Sequence, residues 1–145
     1  LRTMIVQEFI EWEQFVRCIC VGQRDILPIH YDPKARKYIV DPDYLSPALR
    51  ERIVADSRTL VGALGYDMNS IEWAVRAGVP YAIDFMNPAP DFDINSLTAE
   101  YFEWVVQHMA DLVIGLSKRR PAARKFHWDA LFKGRTSPRS RTSSA

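Results

Sequence analysis

Two short apolar stretches on either side of a glycine, each interrupted by one acidic residue, constrain the fold of this chain most. They lie in residues 69–90, which read NSIEWAVRAGVPYAIDFMNPAP. Apolar residues at alternate positions are typical of β-strands with one buried face. Gly78 can adopt a positive φ without steric cost, so a three-residue loop, Ala77-Gly78-Val79, predicts a β-hairpin here.

The alternation assigns each side chain of the hairpin to a face, because successive residues of a strand point to opposite sides. The predicted apolar face contains Ile71, Trp73, Val75, Tyr81, Ile83 and Phe85. Glu72 and Asp84 lie on the other face. With a three-residue loop, the register places these two acids directly opposite each other.

Facing carboxylates need a positive charge between them. Residues directly opposite in a sheet are about 5 Å apart at Cβ, and like charges there destabilise the pair. Mg²⁺ is typically held by one or two carboxylates together with substrate phosphate oxygens. Asn87, just past the second strand, adds a carbonyl oxygen. The pattern therefore predicts a magnesium site at Glu72, Asp84 and Asn87, with a solvated hairpin bridged by Arg76 as the alternative.

The length and composition of the chain indicate one domain with its own core. The chain has 145 residues, of which 48% are hydrophobic, and this suffices for one core. The sequence has no run of about 18 apolar residues, so it does not predict a membrane span. It also shows no charged and apolar leader before the first strand, so it does not predict a signal peptide. Cys18 and Cys20 share one face of a predicted strand, which is typical of buried thiols in a reducing compartment. We therefore expect a cytoplasmic protein without membrane contacts.

Charge is divided unevenly along the chain, whose formal net charge is +1. Nine Lys and Arg residues and one acid give residues 118–145 a charge of +8, so residues 1–117 carry the remaining −7. We expect a folded domain at 1–117 and a largely disordered basic tail at 118–145. Contact with nucleic acid is an alternative role for the tail that the acidic domain opposes. Apolar residues in the tail predict a short docked helix: Phe126, Trp128, Leu131 and Phe132.

Strand and helix patterns alternate along the rest of the chain. Strands are predicted at residues 4–10, 14–21, 26–31 and 38–40. Ser46-Pro47 is a typical helix start, and Gly65 ends that helix. A second helix is predicted at 98–117, with apolar, aromatic and histidine residues at helical spacing: Tyr101, Trp104, Val105, His108, Leu112 and Leu116. The expected fold is α+β, a mostly antiparallel sheet packed by two helices.

The order of these elements resembles the C-terminal half of an ATP-grasp ligase domain of the glutathione synthetase and ribosomal-protein glutamate ligase type. In that family one strand carries an acid, and the next ends in the motif E-x-N-x-x-P-G. Together they hold two Mg²⁺ ions on the ATP phosphates. Glu72 matches the first acid, and Asn87 and Pro90 match the Asn and Pro of the motif. Asp84 takes the place of the motif's Glu but lies one residue earlier in the sequence. A β-bulge before Asn87 is therefore needed to direct its carboxylate to the metal site. In addition, Asp91 replaces the closing glycine.

Residues 6–22, VQEFIEWEQFVRCICVG, resemble the hinge of the same family. The resemblance implies that adenine binds to backbone groups of Glu8, Phe9 and Ile10. It also implies that Glu13 or Glu11 binds the ribose hydroxyls. Arg17 matches a basic position that neutralises a phosphate or an acylphosphate, which would make it catalytic. An exposed strand arginine is the alternative.

The chemistry that this resemblance implies is ATP- and Mg²⁺-dependent ligation. A small carboxylate attacks the γ-phosphate of ATP, and an amine or thiol then captures the acylphosphate. The family's glycine-rich loop and its nucleotide-binding lysines precede the hinge, and Leu1 leads almost directly into it. We therefore expect this chain to be a fragment that binds nucleotide weakly and does not turn over alone. A degenerate module, kept for nucleotide binding or protein interaction, is the alternative.

Overall fold

A five-stranded antiparallel sheet forms the centre of the structure. A computed structural model describes residue 4 and residues 6–118. The strands are β1 (Gln14–Val21), β2 (Asp25–Asp32), β3 (Lys37–Ile39), β4 (Met68–Arg76) and β5 (Val79–Asn87). They lie in the order β3-β2-β1-β4-β5, and every neighbouring pair is antiparallel. The basic tail and its apolar residues lie outside the described residues.

Two helices, each capped where the sequence predicts, complete the fold. The first, α1 (Pro47–Leu64), begins at Ser46, whose side chain accepts a hydrogen bond from the Leu49 N–H, and ends at Gly65 with φ +73°. The second, α2 (Ala99–Ser117), begins at Thr98, whose side chain accepts from the Tyr101 N–H. These caps satisfy backbone donors that the first helical turn leaves free. The predicted α+β fold is confirmed.

The helices cover opposite faces of the sheet. The α1 face has its core at Val16, Cys18, Cys20, Leu45, Ile53, Val61, Ile71, Trp73 and Val75. The α2 face has its core at Ile19, Val21, Ile29, Leu97, Tyr101 and Val105. Cys18 is buried, as the sequence predicts, and this burial raises the pKa of its thiol to about 12. No helix of the described residues is long and apolar enough to cross a membrane.

The hairpin between β4 and β5 is tighter than the sequence predicts. Arg76 pairs with Val79, which leaves a two-residue loop of Ala77 and Gly78 with φ of +51° and +72°. Positive φ at both central residues is the requirement of a type I′ turn, whose twist matches that of the strands. The predicted three-residue loop is therefore wrong, because Val79 already belongs to β5.

The shorter loop also changes which β5 side chains reach the α1 face. Ala82, rather than Tyr81 or Ile83, lies opposite Trp73. Ala82 and Phe85 pack against the core of the α1 face. The predicted apolar face was therefore right for β4 and for Phe85, and wrong for Tyr81.

We expect Ala77→Asn to stabilise the hairpin by about 0.5–1 kcal/mol, because an alanine with positive φ is strained and asparagine tolerates this region better. Chemical denaturation measures the change in the free energy of unfolding. Gly78→Ala should have the opposite sign. A Cβ at Gly78 would meet nothing within 4 Å, so its cost comes from the backbone conformation alone. Stabilisation by both substitutions would contradict this account of the turn.

Candidate functional site

Glu72 and Asp84 face each other across β4 and β5, as the sequence predicts. The two-residue loop alone would place Ile83 opposite Glu72, because the register would run on without interruption from Arg76 and Val79. A register shift between Glu72 and Trp73 inserts one extra residue into β5 at this point. This β-bulge moves Asp84 into line with Glu72.

A second β-bulge places Asn87 beside the two acids. Between Glu72 and Ser70 on β4 there is one residue, whereas Phe85 and Met86 lie between their partners Asp84 and Asn87 on β5. Ser70 and Glu72 alternate onto the same face of β4. Asn87, opposite Ser70, therefore reaches the face that carries Glu72. The bulge predicted before Asn87 is confirmed.

The second bulge is held by the side chain of Asn69, which is fully buried. Its Nδ2 donates to the Phe85 carbonyl oxygen at 2.9 Å, and its Oδ1 accepts from the Asn87 N–H at 3.0 Å. A bulge interrupts the ladder and leaves backbone groups without strand partners. Asn69 supplies both missing partners and thereby fixes the backbone on which Asn87 sits.

The Asn87 amide is oriented by a neighbouring hydroxyl. Its Nδ2 donates to the Ser70 Oγ at 3.1 Å, and Ser70 is itself buried. With the nitrogen held in this way, Oδ1 is the atom that Asn87 can offer to a cation. Carbonyl oxygens of asparagine are common ligands of hard cations.

The positive charge nearest to the two acids belongs to Arg17. Arg17 on β1 pairs with Glu72 on β4, and its Nη2 lies 3.0 Å from the Glu72 Oε1. Arg76, the bridging residue of the alternative interpretation, instead lies over the Tyr81 ring at 5.3 Å and 3.9 Å from the Glu8 carboxylate. The prediction of an Arg76 bridge is therefore wrong, because β1 brings a closer guanidinium to the same face.

Two tyrosines hold the Arg17 guanidinium in place. Its Cζ lies 4.7 Å from the centroid of the Tyr31 ring and 5.8 Å from that of Tyr38. Its Nη1 donates to the Tyr38 hydroxyl at 3.3 Å. Contact with aromatic faces stabilises a cation, more so when it is partly removed from water. Among the described residues, the buried Nε of Arg17 has no hydrogen-bond partner, so this group keeps one donor free.

Burial and charge shift the pKa values of the pair. Burial raises the pKa of Glu72, and the nearby Asp84 raises it further, against the opposing effect of Arg17. Burial by itself lowers the pKa of Arg17, but the Tyr38 hydroxyl and the Glu72 carboxylate outweigh this, so the net direction is upward. A carboxylate disfavoured by burial and by a second acid is stabilised by an added cation. The site therefore has the electrostatics of a cation site.

The donor set fits Mg²⁺ that arrives with phosphate groups. Across residues 6–118, no group of three His, Cys, Asp or Glu side chains could hold a metal ion. Glu72, Asp84 and Asn87 offer two carboxylates and one amide oxygen. Mg²⁺ usually keeps several waters or phosphate oxygens and takes only one or two protein carboxylates. These residues can hold part of such a shell, and a nucleotide would supply the rest.

The segment compared with a hinge lacks the predicted strand. The described residues from 6 to 10 form no strand, so the strand predicted at 4–10 is wrong. The segment joins the sheet only at its end, where the Glu13 N–H donates to the Val75 carbonyl oxygen at 2.8 Å. Glu8 and Phe9 are exposed, and Ile10 is half-buried. The adenine role of all three remains a prediction.

Glu13 lies beside the hairpin turn. Its Oε2 accepts a hydrogen bond from the Ala77 N–H at 3.2 Å, so one carboxylate oxygen is already engaged. Glu11 is exposed. The ribose role of either acid remains a prediction.

A row of aromatic rings connects the hinge-like segment with Arg17. Ring centroids are 5.5 Å apart for Phe9 and Trp12, 5.2 Å for Trp12 and Phe15, and 6.1 Å for Phe15 and Tyr31. Edge-to-face and tilted contacts at these distances are favourable. The row runs from the exposed Phe9 to the buried Phe15 and Tyr31, and it ends beside the guanidinium.

A cavity of about 550 Å³ opens next to Arg17 and is lined by residues of the β2–β3 turn and of the segment before α2. Asp91 lies at its border, held by hydrogen bonds from the Ser96 hydroxyl and the Asp93 N–H. These bonds lower the pKa of Asp91, so it is anionic. The cavity is thus lined by charged groups of both signs, among them Arg17 and Asp91.

The sequence did not indicate a role in this site for four residues: Asn69, Ser70, Tyr31 and Tyr38. The signal for Asn69 and Ser70 was present, since two neighbouring polar residues lie near the start of a largely apolar strand. Tyr31 and Tyr38 gave no signal, because aromatic residues are common in strands. Their contact with Arg17 depends on the pairing of β1, β2 and β3.

Comparison with known proteins identifies the fold. No family model matches the sequence, and no curated protein matches it. Among solved structures, the chain is similar to the D-alanine–D-alanine ligase of Bacillus anthracis complexed with ATP, with 20% identity and a TM-score of 0.51. The similarity covers 72% of this chain and 36% of that chain, so it spans about a third of the ligase. The glutathione synthetase and glutamate ligase type remains a prediction. The described part of this chain has an ATP-grasp-like fold.

Proposed function

We propose that this chain is part of an ATP- and Mg²⁺-dependent ligase domain that joins a carboxylate to an amine or a thiol. The observation that carries the proposal is the Arg17–Glu72 pair at 3.0 Å with Asp84 directly across the sheet from Glu72. A cation and two facing acids on one open face form a charge arrangement suited to phosphoryl transfer, where the protein chiefly positions groups and neutralises charge. The structurally similar ligase is complexed with ATP, which supports the same ligand here.

Each residue has a defined part in this proposal. Glu72, Asp84 and the Asn87 amide oxygen hold Mg²⁺, which when bound neutralises charge on the ATP phosphates. Arg17, held against Tyr31 and Tyr38, stabilises the oxygens of the transferring phosphoryl group or of the acylphosphate. Its fixed orientation favours this role, because preorganised donors need no rearrangement during reaction.

The nucleotide base would lie against the hinge-like segment. Backbone groups of Glu8, Phe9 and Ile10 bind adenine, and Glu13 or Glu11 binds the ribose hydroxyls. The exposed Phe9 begins the aromatic row that ends beside Arg17, and its ring, together with the half-buried Trp12, would support a base and its sugar. The whole activity also requires residues outside the matched third of the ligase, so complete turnover is proposed for the full domain.

A second candidate is a non-catalytic nucleotide-binding or interaction module. The observation that favours it is the Arg17–Glu72 ion pair itself, since the guanidinium already occupies one of the two predicted metal-ligating carboxylates. In such a module the pair would only stabilise the sheet. ATP would then bind without a requirement for Mg²⁺.

Titration with ATP in the presence of Mg²⁺ and again with excess EDTA distinguishes the two candidates. We expect binding that depends on Mg²⁺ and that Asp84→Asn weakens by about tenfold, through loss of one charged ligand. Isothermal titration calorimetry measures both affinities. Asp43→Asn, at an exposed acid outside the site, serves as the matched control. An ATP affinity that is the same in EDTA as in Mg²⁺, and the same for Asp84→Asn as for the wild type, would contradict the metal site and favour the non-catalytic module.

A further inference from the structure

The charged groups that line the cavity beside Arg17 come from β1, from the end of the β2–β3 turn with the start of β3, and from the segment before α2. Arg17, Arg36 and Lys37 are its cations, and Asp91 is its one acid. Arg17 is paired with Glu72, whereas neither Arg36 nor Lys37 forms an ion pair among residues 6–118. Two unpaired cations therefore border a polar cavity.

The β2–β3 turn holds Arg36 and leads directly into Lys37, the first residue of β3. The Asp32 Oδ1 accepts hydrogen bonds from the Lys34 N–H at 2.8 Å and from the Ala35 N–H at 3.0 Å. Arg36 has a φ of +54°, which is uncommon for a residue with a long side chain. A strained conformation that its neighbours hold in place is a typical mark of a functional segment. The turn thus directs Arg36 and Lys37 to the cavity at some conformational cost.

The charge of the lining depends on the state of Glu72. While Glu72 is bound to Arg17, the remaining groups carry one net positive charge. In the proposed function Glu72 would hold Mg²⁺, and Arg17 would then no longer be paired with this carboxylate. Three cations would face one acid, so the lining would carry two net positive charges. A cleft with a net positive charge attracts an anionic ligand.

We propose that this cavity binds the carboxylate substrate and that this substrate is a dicarboxylate. One carboxylate lies at Arg17, where it reacts, and the second is bound by Arg36 and Lys37. The inference rests on the proposed function for the role of Arg17, but the binding of the second carboxylate depends only on the cavity. A volume of about 550 Å³ falls within the range of pockets that enclose whole small molecules, so there is room for both groups.

Binding of glutarate and butyrate to the wild-type chain, compared by isothermal titration calorimetry, tests this inference. The two probes are short unbranched chains of similar length, and glutarate carries a second carboxylate that butyrate lacks. We expect glutarate to bind about tenfold more tightly, which corresponds to two partly exposed charge contacts. The double variant Arg36→Gln with Lys37→Gln should bind both probes equally.

Lys34→Gln is the matched control. Lys34 lies in the same turn and carries the same charge, but it does not line the cavity. We expect this variant to keep the preference for glutarate. Equal binding of the two probes by the wild type would overturn the inference, and so would an equal loss of preference in Lys34→Gln, because general attraction of anions would then explain the result.

Titration of the same variants with Mg²⁺ and ATP separates this inference from the proposed function. A glutarate preference that persists in a chain without Mg²⁺-dependent ATP binding would support the dicarboxylate site and contradict the ligase proposal. Mg²⁺-dependent ATP binding without a glutarate preference would support the ligase proposal and contradict the dicarboxylate site.

Discussion

Replacing Glu72 by glutamine is expected to weaken Mg²⁺-dependent ATP binding by about 100-fold or more, since loss of groups that only support metal ligands already costs about 10–100-fold. Glu72 is the half-buried carboxylate of the proposed site and the partner of Arg17. Glutamine has the same shape and its carbonyl oxygen can still accept from the guanidinium, so the sheet should remain folded. The substitution therefore removes charge with little change of structure. Calorimetric titration with ATP, with and without Mg²⁺, measures the effect.

The matched control for this prediction is Glu103→Gln, at an exposed position of α2. It removes the same charge from the same molecule but lies outside the site, so ATP affinity should stay within about twofold. Circular dichroism and thermal unfolding of both variants establish that they are folded. Unchanged Mg²⁺-dependent binding in folded Glu72→Gln would refute the metal role of Glu72 and would leave the ion pair with Arg17 as a structural contact.

The positions of the strands and helices were largely predictable, because local signals determine them. β1 is an almost continuous apolar run interrupted by Arg17, and each helix begins at a capping residue, Ser46 or Thr98. The hairpin was also predictable as an element. Its loop length was not, because glycine is the usual signal for positive φ, whereas here Ala77 adopts it as well.

The facing of Glu72 and Asp84 was predicted correctly from a register that is wrong near the turn. The loop is one residue shorter than expected, and the bulge at Ile83 adds the residue back. The two departures cancel at Glu72. A bulge depends on the packing of both strands and on the partners available for its free backbone groups, so spacing along the sequence does not determine it.

The partner of Glu72 could not be predicted from sequence spacing. Arg17 is separated from Glu72 by β2, β3 and α1, and only the antiparallel pairing of β1 with β4 brings the two together. The resemblance to a family gave Arg17 a phosphate-binding role but no contact with an acid. The pair suggests how the site stays stable before ligand arrives, because each charge offsets the desolvation of the other.

Asn69→Ala is expected to lower the free energy of unfolding by about 2–6 kcal/mol, because it leaves two partly buried backbone groups unsatisfied at about 1–3 kcal/mol each. These groups are the Phe85 carbonyl and the Asn87 N–H, which the Asn69 amide now joins. The loss is large because no water reaches a side chain that is fully buried. Chemical denaturation measures this change. Mg²⁺-dependent ATP binding should fall in the same variant, since the bulge no longer fixes Asn87.

Asn87→Ala separates the two effects that Asn69→Ala combines. It removes the amide oxygen and the contact with Ser70, but the backbone N–H of residue 87 still bonds to Asn69. We therefore expect a loss of stability of no more than about 1 kcal/mol together with weaker Mg²⁺-dependent ATP binding. If Asn69→Ala destabilised the chain no more than Asn87→Ala does, the amide of Asn69 would not be holding the bulge. If Asn87→Ala left metal-dependent binding intact, the amide oxygen would not be a ligand, and Glu72 and Asp84 would be the protein's whole contribution to the Mg²⁺ site.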